Sequence, residues 1–211
     1  GTGSGKSTSL YSALHYLLQR AVNIEPVADR IECQLECIYQ SFANPDIGVG
    51  FAEHVRAMLR QDPDVIMVGE VRDVETLEAA FQAALTGHLV LTSMHANDAP
   101  AAATRMLQMG TEPYLVSSAL RAVLAQRLAR RVCPDCKVSV SVEDALEESP
   151  ALLKRLKEHR ISVVARGKGC ERCRQTGFHG RVGLFELMRM TPQLKEMVLG
   201  DVDEQAMRHA A

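Results

Sequence analysis

The stretch DPDVIMVGEVRD, residues 62–73, decides the fold class of this 211-residue chain. Four apolar residues, 65–68, stand in a row and are followed directly by Gly69 and Glu70. An uninterrupted apolar run is typical of a strand in a parallel sheet, because helices cover both faces of such a strand. The run therefore predicts a buried parallel strand that ends at a carboxylate.

Strand and helix patterns alternate on both sides of this run. Further strands are predicted over 22–27 and 88–95, the second of them also buried. Helices are predicted over 51–61, 74–87, 98–109 and 112–131, followed by a charged helix near 143–159 and two short helices beyond residue 190. This alternation indicates an α/β protein with a mostly parallel sheet that is covered on both faces.

The chain opens with GTGSGKST, which carries seven of the eight positions of the phosphate-loop pattern. An amphipathic stretch follows it, as the helix after a phosphate loop requires. Lys6 would contact the β- and γ-phosphates of ATP, and Ser7 would bind Mg²⁺. The alternative is a flexible Gly/Ser linker. The candidate phosphate-binding residues are Gly1, Thr2, Gly3, Ser4, Gly5, Lys6, Ser7 and Thr8. The missing first glycine leads us to interpret the chain as a fragment.

Two candidate catalytic residues follow the apolar strands, at the edge where open α/β sheets bind ligands. Glu70 is placed to orient or deprotonate a water molecule; the alternative is a surface carboxylate paired with Arg72. His95 is placed to donate a hydrogen bond to the γ-phosphate, or else it is satisfied by local backbone. Because Gly69 stands where many nucleotide hydrolases have an aspartate, Mg²⁺ would be held by Ser7 and water.

Arg56 and Arg60 are four residues apart on a predicted helix face. They fit arginine fingers that stabilise transition-state charge, and they fit ion pairs with nearby carboxylates equally well. The formal net charge of −2 argues against a nucleic-acid helicase or packaging motor, because phosphate neutralisation needs clustered Lys and Arg. We therefore expect no nucleic-acid partner.

Four of the six cysteines form two C-x-x-C pairs, Cys133/Cys136 and Cys170/Cys173. Four thiolates at this spacing predict a structural Zn²⁺ site, whereas redox pairs or unrelated thiols explain two matching pairs less well. Cys33 and Cys37 fit ordinary semi-buried thiols. We expect three parts: an ATPase core over 1–131, a zinc module over 132–180, and a strand with helices over 181–211.

The chain resembles the secretion ATPases of type II secretion and type IV pilus assembly. The resemblance rests on GTGSGKST, LRQDPDVIMVGEVRD, LTGHLVLTSMHANDA, the stretch from Met109 to Cys136, and GCERCRQTGFHGRVGLFEL. It implies a RecA-like P-loop NTPase core and a homohexameric ring. It also implies ATP hydrolysis that moves pilin-like subunits through an inner-membrane platform protein, with a cytoplasmic adaptor, on the cytoplasmic side of the inner membrane.

The resemblance also implies roles for individual residues. Glu70 takes the place of the family's catalytic glutamate, His88 and His95 that of its histidine box, and Asp29 and Glu32 that of its acidic box. The chain departs from the family at Ala28, Arg30 and Glu53, where glutamate, proline and arginine are usual. These departures motivate the alternative of a nucleotide-binding scaffold that hydrolyses ATP weakly. We expect the isolated fragment to be weakly active or inactive.

Overall fold

The computed structural model of the chain describes residues 3–20, 22–28, 34, 40–43, 50–145, 150–200 and 204–211. The chain forms two compact units. The first contains residues 1–127 and 185–211, and the second contains residues 128–184. No helix in the described ranges is both long and apolar enough to span a membrane. The three-part functional division made from the sequence stays a prediction.

The described elements alternate between helices and strands. The strands are β1 (Ile24–Ala28), β2 (Ser41–Phe42), β3 (Val65–Val68), β4 (Leu89–Thr92), β5 (Ala122–Val132), β6 (Lys137–Ser141), β7 (Val163–Gly167) and β8 (Phe178–Arg189). The helices are α1 (Lys6–Leu18), α2 (Phe51–Met58), α3 (Val74–Leu85), α4 (Ala99–Gln108), α5 (Pro113–Ala119), α6 (Val142–Ala145), α7 (Pro150–Glu158), α8 (Pro192–Leu199) and α9 (Glu204–Ala210).

The first unit is built on a parallel sheet with the spatial order β2-β1-β3-β4. All four residues of β3 are buried. Val65 and Met67 pack with Leu14 of α1, whereas Ile66 and Val68 pack with residues of α2, α3 and α5. Successive side chains of a strand point to opposite faces, so helices cover both faces of β3. The α/β fold with a covered parallel sheet is confirmed.

Strand β4 differs from its prediction. It ends at Thr92, not at His95, and none of its four residues is buried; Leu89 is 43% exposed. The reason is its position, because within the described part of the sheet β4 pairs with β3 on one side only. Its apolar sequence is that of an interior strand, but its described surroundings are those of an edge strand.

The prediction of a helix over 112–131 is also wrong for the second half of that stretch. Helix α5 ends at Ala119, Leu120 has extended backbone angles, and β5 begins at Ala122. Leu, Ala and Arg favour helices in isolation, which explains the prediction. Pairing with β8 overrides that preference: Arg121 accepts a 3.0 Å hydrogen bond from the Met190 N–H, next to the β5–β8 sheet.

The second unit contains an antiparallel pair, β6 and β7, in which Lys137 lies opposite Gly167 and Val140 opposite Val164. Its buried residues within the described ranges are few: Cys133, Val142, Cys173 and Gly177. A core of this size buries little apolar area. The unit therefore needs stabilisation from another source, and a metal site is the usual one in domains of this kind.

Candidate functional site

Glu70 lies two residues beyond the end of β3, with only 13% of its side chain exposed. Its Oε1 atom lies 2.6 Å from Nε2 of His95. Its Oε2 atom accepts hydrogen bonds from Nε and Nη2 of Arg72, at 2.7 and 2.6 Å. The pair with Arg72 therefore exists. However, the carboxylate is mostly buried and has a second partner, which an exposed surface pair would not have.

Gly69 allows the end of β3 to pack closely against β1. A Cβ atom at Gly69 would lie 3.2 Å from Cα and 3.3 Å from Cβ of Ala28, the last residue of β1. Such contacts are tighter than ordinary van der Waals distance, so a larger side chain at position 69 would press on β1. Close packing of β1 against the end of β3 therefore disfavours an aspartate side chain at position 69.

The two histidines of the candidate histidine box have different surroundings. His95 is in the loop between β4 and α4, and its described partner is the Glu70 carboxylate, not local backbone. His88 lies directly before β4, where its Nδ1 is 2.8 Å from the Ala83 carbonyl oxygen of α3 and 3.1 Å from Thr86 Oγ1. His88 thus contacts the last turn of α3, a local structural role.

The described part of the candidate phosphate loop fits a phosphate group. Gly3 and Gly5 have φ angles of 72° and 88°, which glycine adopts readily. Helix α1 begins directly after Gly5, and no side chain caps its N-terminus, so its first N–H groups need acceptors. Ser4 Oγ is buried without a hydrogen-bond partner among the described residues. Ser7, in the first turn, would hold Mg²⁺; Gly1 and Thr2 lie outside the described residues.

A cavity of about 340 Å³ in the first unit is lined by residues of both the candidate phosphate loop and the loop that carries His95. Ser4 and Lys6 line it, and so do Ser93, Ala96 and Asn97 from the loop that carries His95. Lys6 and the segment around His95 therefore border the same space. Neither Glu70 nor His95 lines the cavity, so it relates Lys6 to the backbone around His95 only. A triphosphate bound between a phosphate loop and a catalytic carboxylate would need this proximity.

The two candidate arginines have partners away from Glu70 and His95. Arg56 pairs with Glu75 at 2.9 Å and with Glu53 at 3.9 Å, and Arg60 donates to the Arg56 carbonyl oxygen. Within the described part of the chain, neither arginine contacts Glu70 or His95. Within one subunit, therefore, Arg56 forms the ion pairs that were the alternative to an arginine finger. The acidic-box residues Asp29 and Glu32, together with Cys33 and Cys37, lie outside the described residues.

The four C-x-x-C cysteines form a cluster in the second unit, and their sulfur atoms all lie within 4.8 Å of one another. Three of the Sγ–Sγ distances are 3.7, 3.8 and 3.9 Å. A tetrahedron with Zn–S bonds of about 2.3 Å has edges of about 3.8 Å. The cluster therefore has the size of a tetrahedral thiolate site, and the donor set Cys133, Cys136, Cys170 and Cys173 fits Zn²⁺.

Backbone N–H groups prepare one of these thiols for metal binding. Burial opposes ionisation of Cys173, but N–H groups of Cys170 and Gly177, at 3.2 and 3.3 Å from its sulfur, lower its pKa to about 6. In contrast, burial raises the pKa of the Cys136 thiol to about 11. A bound cation would ionise the remaining thiols. A pair between Asp135 and Arg172, at 2.9 Å, connects the two C-x-x-C segments.

Gly167 and Gly177 allow the backbones beside the cluster to touch, because a Cβ atom at Gly167 would overlap the Gly177 carbonyl oxygen. We predict that Gly167→Ala destabilises the second unit by about 3 kcal/mol, since backbone atoms cannot rotate out of the overlap. Thermal unfolding and zinc retention against a chelator would measure this. Gly180→Ala is the control: its φ of 78° costs strain, but its Cβ would meet nothing within 4 Å. Equal zinc retention in both variants would contradict the prediction.

The covered parallel sheet, the glycine-rich loop at the start of α1 and the carboxylate after β3 define a RecA-like protein of the P-loop NTPase class, with a separate four-cysteine unit. The chain belongs to the family described as "Type II/IV secretion system protein", whose model matches residues 1–211.

Two relatives of the chain carry names that fit this family. The chain is 46% identical over 206 residues to the type II secretion system ATPase E of Vibrio cholerae, covering 98% of this chain and 40% of the relative. It is 44% identical over 202 residues to the type IV pilus assembly ATPase TfpB of Acinetobacter baylyi, covering 96% and 34%. The chain thus spans between about a third and two fifths of the length of these relatives.

A solved structure has a similar fold. The pilus retraction motor PilT, crystallised with bound ADP, matches with a TM-score of 0.70 and 27% identity. The match covers 100% of this chain and 51% of PilT.

Several contacts at this site were not predicted from the sequence. Side chains of Arg127, Glu186 and Arg208 bind the segment 97–99, which follows His95 closely in the chain. These partners are 30, 87 and 110 residues apart in sequence. No local pattern marks such pairs, because only the folded chain brings them together.

Proposed function

We propose that this chain is the catalytic part of an ATPase motor subunit that moves pilin-like subunits of a type II secretion or type IV pilus system through an inner-membrane platform. The observation that carries the proposal is the mostly buried Glu70 carboxylate in contact with His95, whose loop shares a cavity with Lys6. Membership of the secretion family supports the same class of activity.

Each residue has a role in the proposed reaction. Lys6 and the loop N–H groups bind the β- and γ-phosphates of ATP, and Ser7 holds Mg²⁺, which neutralises charge on the phosphates. Glu70 orients or deprotonates the attacking water, as a carboxylate does in general-base catalysis. His95 donates a hydrogen bond to the γ-phosphate. Its 2.6 Å contact with Glu70 would then change with the state of the nucleotide.

The proposal includes an assembly. We propose a homohexamer on the cytoplasmic side of the inner membrane, held there by an adaptor and by the platform protein. Arg56 and Arg60 would act as arginine fingers toward a neighbouring subunit, which is consistent with their lack of contact with Glu70 within one described copy. We expect the isolated 211 residues to hydrolyse ATP weakly, because a ring completes its sites with neighbouring subunits.

A second candidate function is a nucleotide-binding scaffold with weak hydrolysis. The residue that favours it is Ala28, which replaces an acidic-box glutamate and packs against Gly69. Binding would remain in such a scaffold, because the phosphate loop does not include position 28. The two functions therefore differ in turnover and agree in ATP binding.

We predict that Lys6→Ala in the full-length protein weakens ATP binding by about 10- to 100-fold, the value of a lost hydrogen bond to a charged group. Titration with a fluorescent ATP analogue measures affinity, and phosphate release measures turnover. Lys154→Ala is the control, because Lys154 is exposed in the second unit. Unchanged affinity in the Lys6 variant would contradict the proposal. Tight binding by the wild-type protein without turnover would favour the scaffold.

A further inference from the structure

The loop that carries His95 is fixed at its beginning by the end of β3. Ser93 Oγ donates a 2.7 Å hydrogen bond to the Gly69 carbonyl oxygen, and the Val71 N–H donates a 2.8 Å bond to the Ser93 carbonyl oxygen. These bonds lie on either side of Glu70 in the chain. They place the start of the loop relative to the carboxylate, two residues before His95.

The end of the same loop is fixed by three side chains of the first unit that are distant from the loop in sequence. Arg127 Nη2 donates a 2.8 Å hydrogen bond to the Asn97 carbonyl oxygen. Glu186 Oε2 accepts a 3.3 Å bond from the Ala99 N–H. Arg208 Nη2 lies 2.7 Å from Asp98 Oδ2, and Asp98 also caps α4 through the Ala101 N–H. Three residues in a row are thus held from outside the loop.

His95 lies between these two anchored segments. Its side chain is 49% exposed, and its ring has the Glu70 carboxylate as its described partner. A half-exposed ring with one such partner is not fixed by packing of its own side chain. The backbone on either side of it therefore decides where the ring lies relative to Glu70.

We propose that Arg127 is a positioning residue for the hydrolytic site. It holds the loop backbone at Asn97 and thereby keeps the His95 ring in contact with the Glu70 carboxylate. Arg127 is the informative one of these three side chains because it makes the shorter bond to backbone, 2.8 Å against 3.3 Å for Glu186, and makes it within the loop, whereas Ala99 is the first residue of α4. Its neighbour on β5, Gln126, accepts a 2.5 Å hydrogen bond from Ser9 of α1. Consecutive residues of β5 thus contact both the phosphate-loop helix and the histidine loop.

The inference rests on the proposed ATPase function, and it predicts a specific kinetic pattern in the full-length protein. Arg127→Met is expected to lower kcat about tenfold with little change in KM for ATP, because displaced catalytic groups lose rate more than substrate binding. Arg127→Lys, which can still donate to the carbonyl oxygen, is expected to recover most of the rate. Arg131→Met is the matched control, since Arg131 is exposed on the same strand.

A double-mutant cycle separates positioning from general stabilisation. If Arg127 acts through His95, adding Arg127→Met to His95→Ala lowers kcat no further, because the ring to be positioned is already gone. Multiplied losses in the double variant would overturn the inference. So would a rise in KM alone, which would assign Arg127 to nucleotide binding, or a wild-type kcat in Arg127→Met.

Hydrogen exchange tests the same point without hydrolysis. Amides of residues 94–99 are expected to exchange faster in Arg127→Met than in wild type or Arg131→Met, because the loop loses its anchor at Asn97. Unchanged exchange in that segment would overturn the inference even if the protein were inactive. Conversely, if Lys6→Ala and Glu70→Gln leave turnover unaltered while exchange responds as expected, the proposed function fails and the positioning of the loop stands.

Discussion

Replacing Glu70 with glutamine is expected to lower ATP hydrolysis by about 10²- to 10⁴-fold, the usual contribution of a general base. Glutamine has nearly the same size, and its one amide oxygen can still accept hydrogen bonds from Arg72 while its NH2 group faces His95, but it cannot take a proton from water. ATP binding should therefore persist, because Glu70 does not belong to the phosphate loop. Phosphate release by the full-length protein at saturating ATP and Mg²⁺ measures the rate, and nucleotide titration measures binding.

The control for this variant is Glu78→Gln. Glu78 is an exposed residue of α3, and the same chemical change there should leave the rate unaltered. A Glu70→Gln protein that keeps its wild-type rate would exclude Glu70 as the base. Loss of nucleotide binding together with the rate would instead indicate that the glutamine disturbs the fold around β3.

Replacing Cys173 with serine is expected to abolish zinc binding and unfold the second unit. Cys173 is buried, and its sulfur accepts two backbone N–H hydrogen bonds. The serine variant therefore lacks the thiol that these bonds make easiest to ionise. Structural zinc contributes about 10–16 kcal/mol of apparent binding free energy at pH 7, which the few buried residues of this unit cannot replace. Metal analysis and limited proteolysis within residues 128–184 would measure the two effects.

Cys37→Ser is the matched control, because it makes the same replacement outside the C-x-x-C pairs. The control should retain zinc in full. Full zinc content in the Cys173→Ser protein, with the second unit still resistant to protease, would contradict the assignment of the cluster as a metal site. Zinc removed from the wild-type protein by a chelator should reproduce the proteolysis pattern of the variant.

Local patterns were sufficient for the features that depend on neighbouring residues. The four apolar residues of β3 form a buried strand because a doubly covered strand has no polar face. The two C-x-x-C pairs were predicted to meet in one cluster because four thiols at this spacing are a usual ligand set for one metal ion, and their sulfur atoms lie within 4.8 Å of one another. In both cases the residue types that carry the signal stand in short segments, one for the strand and two for the cysteine cluster.

Patterns failed where the outcome depended on a distant partner. Residues 122–131 have helix-forming side chains and form a strand, because pairing with β8 satisfies their backbone groups. Strand β4 has three apolar residues of four and yet none of them is buried, because its position in the described sheet, more than its composition, sets its burial. Propensity is a weak local preference that tertiary contacts can reverse.

The sequence by itself determined the α/β class, the buried strand before Glu70 and the two C-x-x-C pairs, since each is visible as a pattern of residue types along the chain. The tertiary structure alone decided that His95 contacts Glu70 and that Arg127, Glu186 and Arg208 hold the loop between them and α4. These contacts join residues that are 25 to 110 positions apart. Such contacts depend on how the chain folds back on itself, and no short segment carries that information.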